Sequence, residues 1–210
     1  MRRSCYLIRH AQTTWNHENR MQGHADLPLS EIGRQQAERV GAYFAERSIA
    51  ALYTSHLARS LQTALAIAQT TGVTPTIEPA LSEIRFGAWE GLTAEEINVA
   101  YHGAYQRWRA SPSQVTIPGA ESLDRFRDRV RTIVRRIFTT HDEGEVVIVS
   151  HGGVIASLFA DWLIADYDTL LQRLVLANAG ISAVDCRTDP PSILSVNITD
   201  HLAVNDHSLV

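Results

Sequence analysis

Two cysteines in 210 residues leave little room for thiol chemistry. There is no Cys-x-x-Cys pair, and neither Cys5 nor Cys186 stands at metal-ligand spacing from a histidine. Both lie in strand-like stretches, which predicts buried free thiols of the kind a reducing cytoplasm keeps. No apolar run is long enough to span a bilayer. Positive charge is not in excess: 19 Lys and Arg face 23 Asp and Glu, so neither nucleic acid nor an anionic membrane is an expected partner. The start Met1-Arg2-Arg3-Ser4 is basic, but Arg9 and His10 interrupt the apolar stretch after it, which argues against a secretory signal peptide. Nine histidines occur without an H-x-x-x-H or comparable cluster, so no metal is expected.

What is present is a globular composition, 45% hydrophobic and 20% charged, at a length that suits one domain, residues 1–210. Short apolar runs at Cys5 to Ile8, Ala50 to Tyr53, Ile181 to Val184 and Ile193 to Val196 read as strands. Val146 to Val149 has the continuous pattern of a central strand buried on both faces. Val73 to Ile77 is an edge candidate, because Pro75 lacks a ladder donor. Between them lie helical patterns. Ser30 caps one with Ile32, Ala37, Val40 and Phe44 on one face, and a second places Leu57, Leu61, Ala64, Leu65 and Ala68 toward the core. The alternation predicts a three-layer α/β/α sandwich on a mostly parallel central sheet.

Two stretches stand apart. Gly87 to Gly119 holds Trp89, Trp108, a capping box at Thr93 and Glu96, and Ser111-Pro112-Ser113; it reads as a short helical insert, about residues 88–118, and a candidate lid. Arg125 to Arg136 holds six arginines, yet Leu123, Phe126, Val130, Ile133, Val134 and Ile137 recur at helical spacing. That pattern predicts an amphipathic helix with a solvated basic face, capped by Ser122.

Four segments carry chemistry. Leu7-Ile8-Arg9-His10 joins a strand end to a guanidinium and an imidazole, and an imidazole can attack phosphorus while an arginine holds phosphoryl oxygens. Tyr53 to Ala64 is a strand end followed by a helix start, with Arg59 in the first turn, where free N–H groups favour an anion. Ser150-His151-Gly152-Gly153 repeats that arrangement after the central strand, with glycines that admit close backbone approach. Leu81 to Gly91 offers Glu83 beside aromatic, low-dielectric surroundings, a setting for a general acid. Each segment alone is equally a satisfied surface or strand-end feature.

Taken in order, and with the Asn-x-x-x-His-Leu ending at Asn197 to Leu202, the four segments resemble the histidine phosphatase superfamily, also called phosphoglycerate mutase-like, over nearly the whole chain. The resemblance implies a nucleophile at His10 that becomes phosphohistidine. It places Arg9, Arg59 and His151 around the phosphoryl group, with Asn16 and the Gly152 backbone completing the pocket. It implies Glu83 as proton donor and then base, and contacts to the rest of the substrate at Gln22 and Gly23, with Thr13 a further candidate. It implies no metal and no cofactor, because two arginines and a second histidine supply the charge that phosphoryl transfer needs.

Three departures matter. Ala11 replaces the commoner glycine after Arg-His, Ala156 stands where many relatives have arginine, and Ile84-Arg85-Phe86 follows Glu83 where cofactor-dependent mutases have Arg-His-Tyr. Phe-Gly-x-Trp-Glu-Gly at Phe86 to Gly91 looks like the broad-specificity and α-ribazole phosphatase branch. The expected activity is therefore metal-independent hydrolysis of a small phosphomonoester. The alternatives are a 2,3-bisphosphoglycerate-dependent mutase and, in another class, a non-catalytic phosphate-binding module. Arg85, Tyr101, Tyr105, Arg107 and Trp108 are candidate leaving-group contacts from the insert. Dimers are common in the family, so a homodimer is open as a partner state.

Overall fold

A computed structural model describes residues 4–141 and 143–203; the basic start Met1, Arg2 and Arg3 lies outside them. The elements run in the order β1 (Ser4–Arg9), α1 (Thr14–His17), α2 (Glu31–Phe44), β2 (Ile49–Thr54), α3 (Ala58–Thr71), β3 (Thr76–Ile77), α4 (Ala94–Ala100), α5 (Ala104–Ala110), α6 (Leu123–Thr140), β4 (Glu145–Ser150), α7 (Gly152–Trp162), α8 (Tyr167–Arg173), β5 (Ile181–Asp185) and β6 (Ser192–Ile198). One six-stranded sheet has the order β3-β2-β4-β1-β5-β6. β1, β2, β3 and β4 are mutually parallel, and β5 and β6 add antiparallel strands. The link between β5 and β6 is too short for a crossover, so those two strands form a hairpin. The expected mostly parallel sandwich is the fold observed.

Side-chain alternation along β1 builds both outer layers. Cys5 and Leu7 face α6 and α7 with Phe126, Val130, Ile133, Leu158 and Phe159. Tyr6 and Ile8 face α2 and α3 with Val40, Phe44, Ala64 and Ile67. β4 lies between β2 and β1, and its Val146 to Val149 are all buried, as a two-sided central strand requires. β3 begins just after Pro75 and sits at the edge, as the missing donor demands. Cys5 and Cys186 are free and buried.

Two helix faces differ from the apolar stripes expected. Ile32 is exposed and Gly33 faces inward, because the Gly33 backbone packs directly on that of Gln12. In α3 the buried residues are Arg59, Ser60, Thr63, Ala64 and Ile67, whereas Leu65 is exposed. The stripe is shifted because α3 turns a polar face toward the strand ends. There the Ser60 hydroxyl donates to the Val149 carbonyl at 2.9 Å, and the Thr63 hydroxyl accepts from Ala11 N–H at 3.0 Å.

The insert has a core of its own, Phe86, Trp89, Ile97, Ala104 and Ile117. Its two ends are joined at a neck, with Ala88 N–H donating to Pro118 O at 2.9 Å and Glu121 N–H to Arg85 O at 3.0 Å. The Thr93–Glu96 capping box and the Ser30 and Ser122 caps form as the sequence indicated. Among the described residues no helix is long and apolar enough to cross a membrane.

Candidate active site

The carboxyl ends of β1, β2 and β4 meet at one edge of the sheet, where open α/β folds collect ligand groups. His10 follows β1 and is 3% exposed. Its backbone N–H donates to Ser150 O at 2.8 Å, and its Nδ1–H donates to Ala11 O at 2.7 Å. With Nδ1 fixed as the donor, Nε2 keeps its lone pair. Burial, then the Arg59 and Arg9 guanidinium groups, hold the ring well below the ordinary histidine value of 6.5. His10 is therefore a neutral imidazole with one nucleophilic nitrogen.

His151 caps α7 directly after β4 and is fully buried. Its ring centre lies 5.2 Å from that of His10, and the Ser55 hydroxyl sits 2.8 Å from its Nε2. Burial, Arg59, His10 and Arg9 push it well below 6.5 as well.

Two arginines complete the charged group. Arg9 ends β1 and donates from Nη1 to Leu176 O at 2.5 Å. Arg59, fully buried in the first turn of α3, donates to Ala25 O at 2.8 Å and Gly23 O at 2.7 Å. Burial lowers Arg59 to about 10, so it stays cationic at neutral pH. Carbonyl anchors occupy Arg9 Nη1 and both Nη groups of Arg59, while Arg9 Nε, Arg59 Nε and His151 Nδ1 are buried without a hydrogen-bond partner. With the Ser55 hydroxyl donating to Nε2, His151 Nδ1 carries the ring proton, and a buried donor left unpaired costs on the order of 1–3 kcal/mol. Three of them around a neutral imidazole define a site built for an anion.

Glu83 lies in the loop after a short 3-10 turn at Pro79–Leu81. Its Oε1 accepts from its neighbour's Ile84 N–H and its Oε2 from Gly153 N–H, each at 3.0 Å. A Cβ at position 153 would collide with this carboxylate, so Gly153 is the glycine that close approach requires. A Cβ at position 152 would meet Arg9 Nε only in ordinary contact, at 3.7 Å.

The remaining predicted residues form a supporting network. Thr13 caps α1, and its hydroxyl lies 3.0 Å from both Asn16 Oδ1 and Gln22 Oε1. Asn16 Oδ1 also accepts from Thr13 N–H and Asn178 Nδ2, which leaves the Asn16 amide to donate elsewhere. Gly23, at φ +52° with its α-carbon against Phe86 and Glu90, presents its carbonyl to Arg59.

One contributor carried no local sequence signal. Asn178 Nδ2 donates to His10 O at 3.1 Å. Asn197 Oδ1 accepts from Ala177 N–H at 2.7 Å, and the His201 ring contacts Ala179 O at 3.0 Å. The chain-terminal Asn-x-x-x-His pattern thus braces the loop that holds Arg9 and Asn178.

A cavity of about 600 Å³ opens beside Arg9, Glu83, Gly152 and Gly153. Of the five candidate insert contacts, Arg85 and Trp108 line it. Tyr101 and Tyr105 instead pack on Trp89 and Trp108, and Arg107 donates to His102 O. The opposite wall comes from outside the insert, from Ala156, Tyr167, Leu171 and Leu174. Among the described residues, no group of three or more His, Cys, Asp or Glu is arranged to hold a metal ion.

A strand-end histidine between two arginines, with a carboxylate at the mouth of a cavity, is the site of an enzyme acting on phosphate esters. Residues 5–199 match the histidine phosphatase superfamily (branch 1), and the chain belongs to that family. It is similar to phosphoglycerate mutase-like protein 4 of Arabidopsis thaliana, 38% identical over 156 residues, covering 73% of this chain and 68% of that protein. It is also similar to phosphoserine phosphatase 1 of Hydrogenobacter thermophilus, 32% identical over 196 residues, covering 93% and 92%. Among solved structures, Bacillus stearothermophilus YhfR superposes with a TM-score of 0.90 at 29% identity, covering 96% of this chain and all of that one. The chain is a phosphoric monoester hydrolase.

Proposed function

We propose that the chain works as one domain, hydrolysing small phosphorylated metabolites without a metal, through a phosphohistidine on His10. What carries this reading is the set of unpaired buried donors, Arg9 Nε, Arg59 Nε and His151 Nδ1, around a histidine whose Nε2 is free. His10 Nε2 attacks phosphorus as the bond to the leaving oxygen breaks. Arg9, Arg59 and His151 take the charge on the equatorial oxygens. Glu83 delivers a proton to the leaving oxygen. It then removes one from water as the water oxygen displaces His10 from phosphorus, releasing orthophosphate and restoring neutral His10. Asn16 adds a donor to the phosphoryl pocket, and Gln22, Gly23 and Thr13 hold that edge in place.

The leaving group occupies the 600 Å³ cavity, with the 88–118 insert as its lid. Phe86, Trp108, Tyr167, Leu171 and Leu174 give it an apolar side, while Arg85, Arg109, Glu121 and Asp124 add charged groups to its lining; Ala156 supplies no cation. This mixed lining suits a leaving group larger than serine that carries both an apolar or aromatic part and polar groups. Two buried unpaired thiols suit the reducing cytoplasm, and a homodimer is compatible with the site.

The test is phosphate release and alkali-quenched phosphoenzyme, with chelator present, for wild type and His10→Ala. The expected outcome is chelator-insensitive turnover in wild type, with turnover and phosphoenzyme lost together in the variant. Normal turnover by His10→Ala sinks the scheme.

A further inference from the structure

Helix α6 carries six arginines, and the sequence reading placed them on a solvated face. Arg129 departs from that: its side chain is 22% exposed, and that of its partner Glu121 is 18% exposed. A guanidinium has five N–H donors, and Arg129 uses all of them. Nε and Nη2 grip Glu121 in a two-pronged pair, each bond 2.8 Å. Nη1 donates to Ala80 O at 2.8 Å and Ser82 O at 2.7 Å, and Nη2 to Glu83 O at 2.9 Å.

Three of the five bonds therefore end on carbonyls of residues 80–83, the loop that delivers Glu83. That loop runs outside the sheet, so its carbonyls have no ladder partners. Glu121 extends the grip past the acid, because its own N–H donates to Arg85 O. The backbone on both sides of Glu83 is thus tied to α6, the Glu83 carbonyl also accepts from His24 Nε2 at 2.8 Å, and the Glu83 carboxylate is tied to α7 through Gly153 N–H.

We propose that Arg129, oriented by Glu121, is a positioning residue that fixes the Glu83 carboxyl at the leaving-group oxygen. It touches neither phosphate nor leaving group. Displacing a reacting group by about 1 Å can cost on the order of 10²-fold in rate, and the Arg129 fork removes that freedom. Lysine cannot substitute. Its ammonium is a point charge with three donors and does not span a carboxylate and three carbonyls at once.

The proposal rests on Glu83 being the acid, and leaving-group dependence separates the two claims. Pre-steady-state phosphorylation is measured with p-nitrophenyl phosphate, whose leaving group needs little protonation, and with 2-phenylethyl phosphate, whose leaving group needs full protonation. Wild type, Glu83→Gln, Arg129→Lys and Arg129→Ala are compared, with circular dichroism to check folding. Arg129→Lys is expected to slow phosphorylation by the alkyl ester about 10²-fold, while the p-nitrophenol burst stays within about threefold. Guanidinium ion, but not methylammonium, is expected to restore Arg129→Ala toward wild type on the alkyl ester. A purely structural role lowers both substrates equally through loss of active sites, and that result overturns the proposal, as does an unchanged alkyl rate in Arg129→Lys. If Glu83→Gln itself fails to discriminate between the two esters, the reading of Glu83 falls and the proposal falls with it; discrimination by Glu83→Gln without any by Arg129→Lys overturns the proposal alone.

Discussion

The two ends of the active site are built by opposite means. The phosphoryl end is assembled from strand ends and helix starts, and its cationic side chains are anchored on carbonyls: Arg9 on Leu176, Arg59 on Gly23 and Ala25. It is polar and mostly buried. The leaving-group end is a roomy cavity with mixed walls whose apolar part is borrowed from the insert on one side and from α7 and α8 on the other. A phosphoryl group has the same shape in every ester, so a rigid site serves it. Leaving groups differ, and apolar walls discriminate between them weakly per atom. Reaction and selectivity are therefore separable in this fold, and substitutions at the two ends should fail in different ways.

The largest effect is expected from Arg59→Lys. Lysine keeps the positive charge, but its compact ammonium lacks the planar fork that grips two backbone carbonyls and aims a further donor the other way. Loss of one preorganised donor to a developing oxyanion costs about 10²–10³-fold in kcat. The fall should be similar for every phosphomonoester, large or small, since all share the phosphoryl end. Steady-state kinetics on a substrate panel decides; a loss confined to bulky substrates would show that Arg59 belongs to the other end.

Legibility in the sequence follows the same division. The strand-end dipeptide Arg9-His10, the helix start at Arg59 and the His151-Gly152-Gly153 turn are local patterns, because a strand followed at once by a helix start fixes where the side chain points. The insert was also visible as a local break in the alternation. The far wall of the cavity was not, because Tyr167, Leu171 and Leu174 lie on a short helix whose pattern says nothing about which distant residues face it. Arg129 was missed for a related reason. An amphipathic helix assigns its charged residues to water by default, and only the loop packed beside α6 shows that one of them points to carbonyls. Leu65 and Ile32 were placed inward for the converse reason. The helix positions that actually face the strand ends hold Arg59, Ser60, Thr63 and Gly33, which an apolar count cannot see.

A smaller effect should sharpen the comparison from the leaving-group side. Leu171→Ala removes apolar wall from the cavity and touches nothing at the phosphoryl end. For an ester with a large aromatic leaving group, kcat/KM should fall about tenfold, mostly through KM. For a small alkyl ester it should hardly change. Uniform losses across both substrates would mean that the two ends are coupled rather than separate.

The smallest expected effect is on stability, and it too should belong to one end. His10 and His151 are held well below 6.5, first by burial and then by the nearby arginines. In the unfolded chain both titrate near the ordinary value, about 6.5. Below that pH the unfolded state takes up protons that the folded state refuses, so folding stability falls as pH falls, and it is recovered as pH rises through about 6.5. Each histidine that stays neutral in the fold contributes a slope of at most about 1.4 kcal/mol per pH unit. Urea unfolding at several values between pH 7 and 5.5 should show this loss, and the His10→Asn, His151→Asn double variant should show a shallower one. Saturating inorganic phosphate should raise wild-type stability across the range by binding only the folded state. Leu171→Ala should keep the wild-type slope, whatever its absolute stability. A slope unchanged in the double histidine variant would place the pH response outside the phosphoryl end and remove the electrostatic half of the contrast.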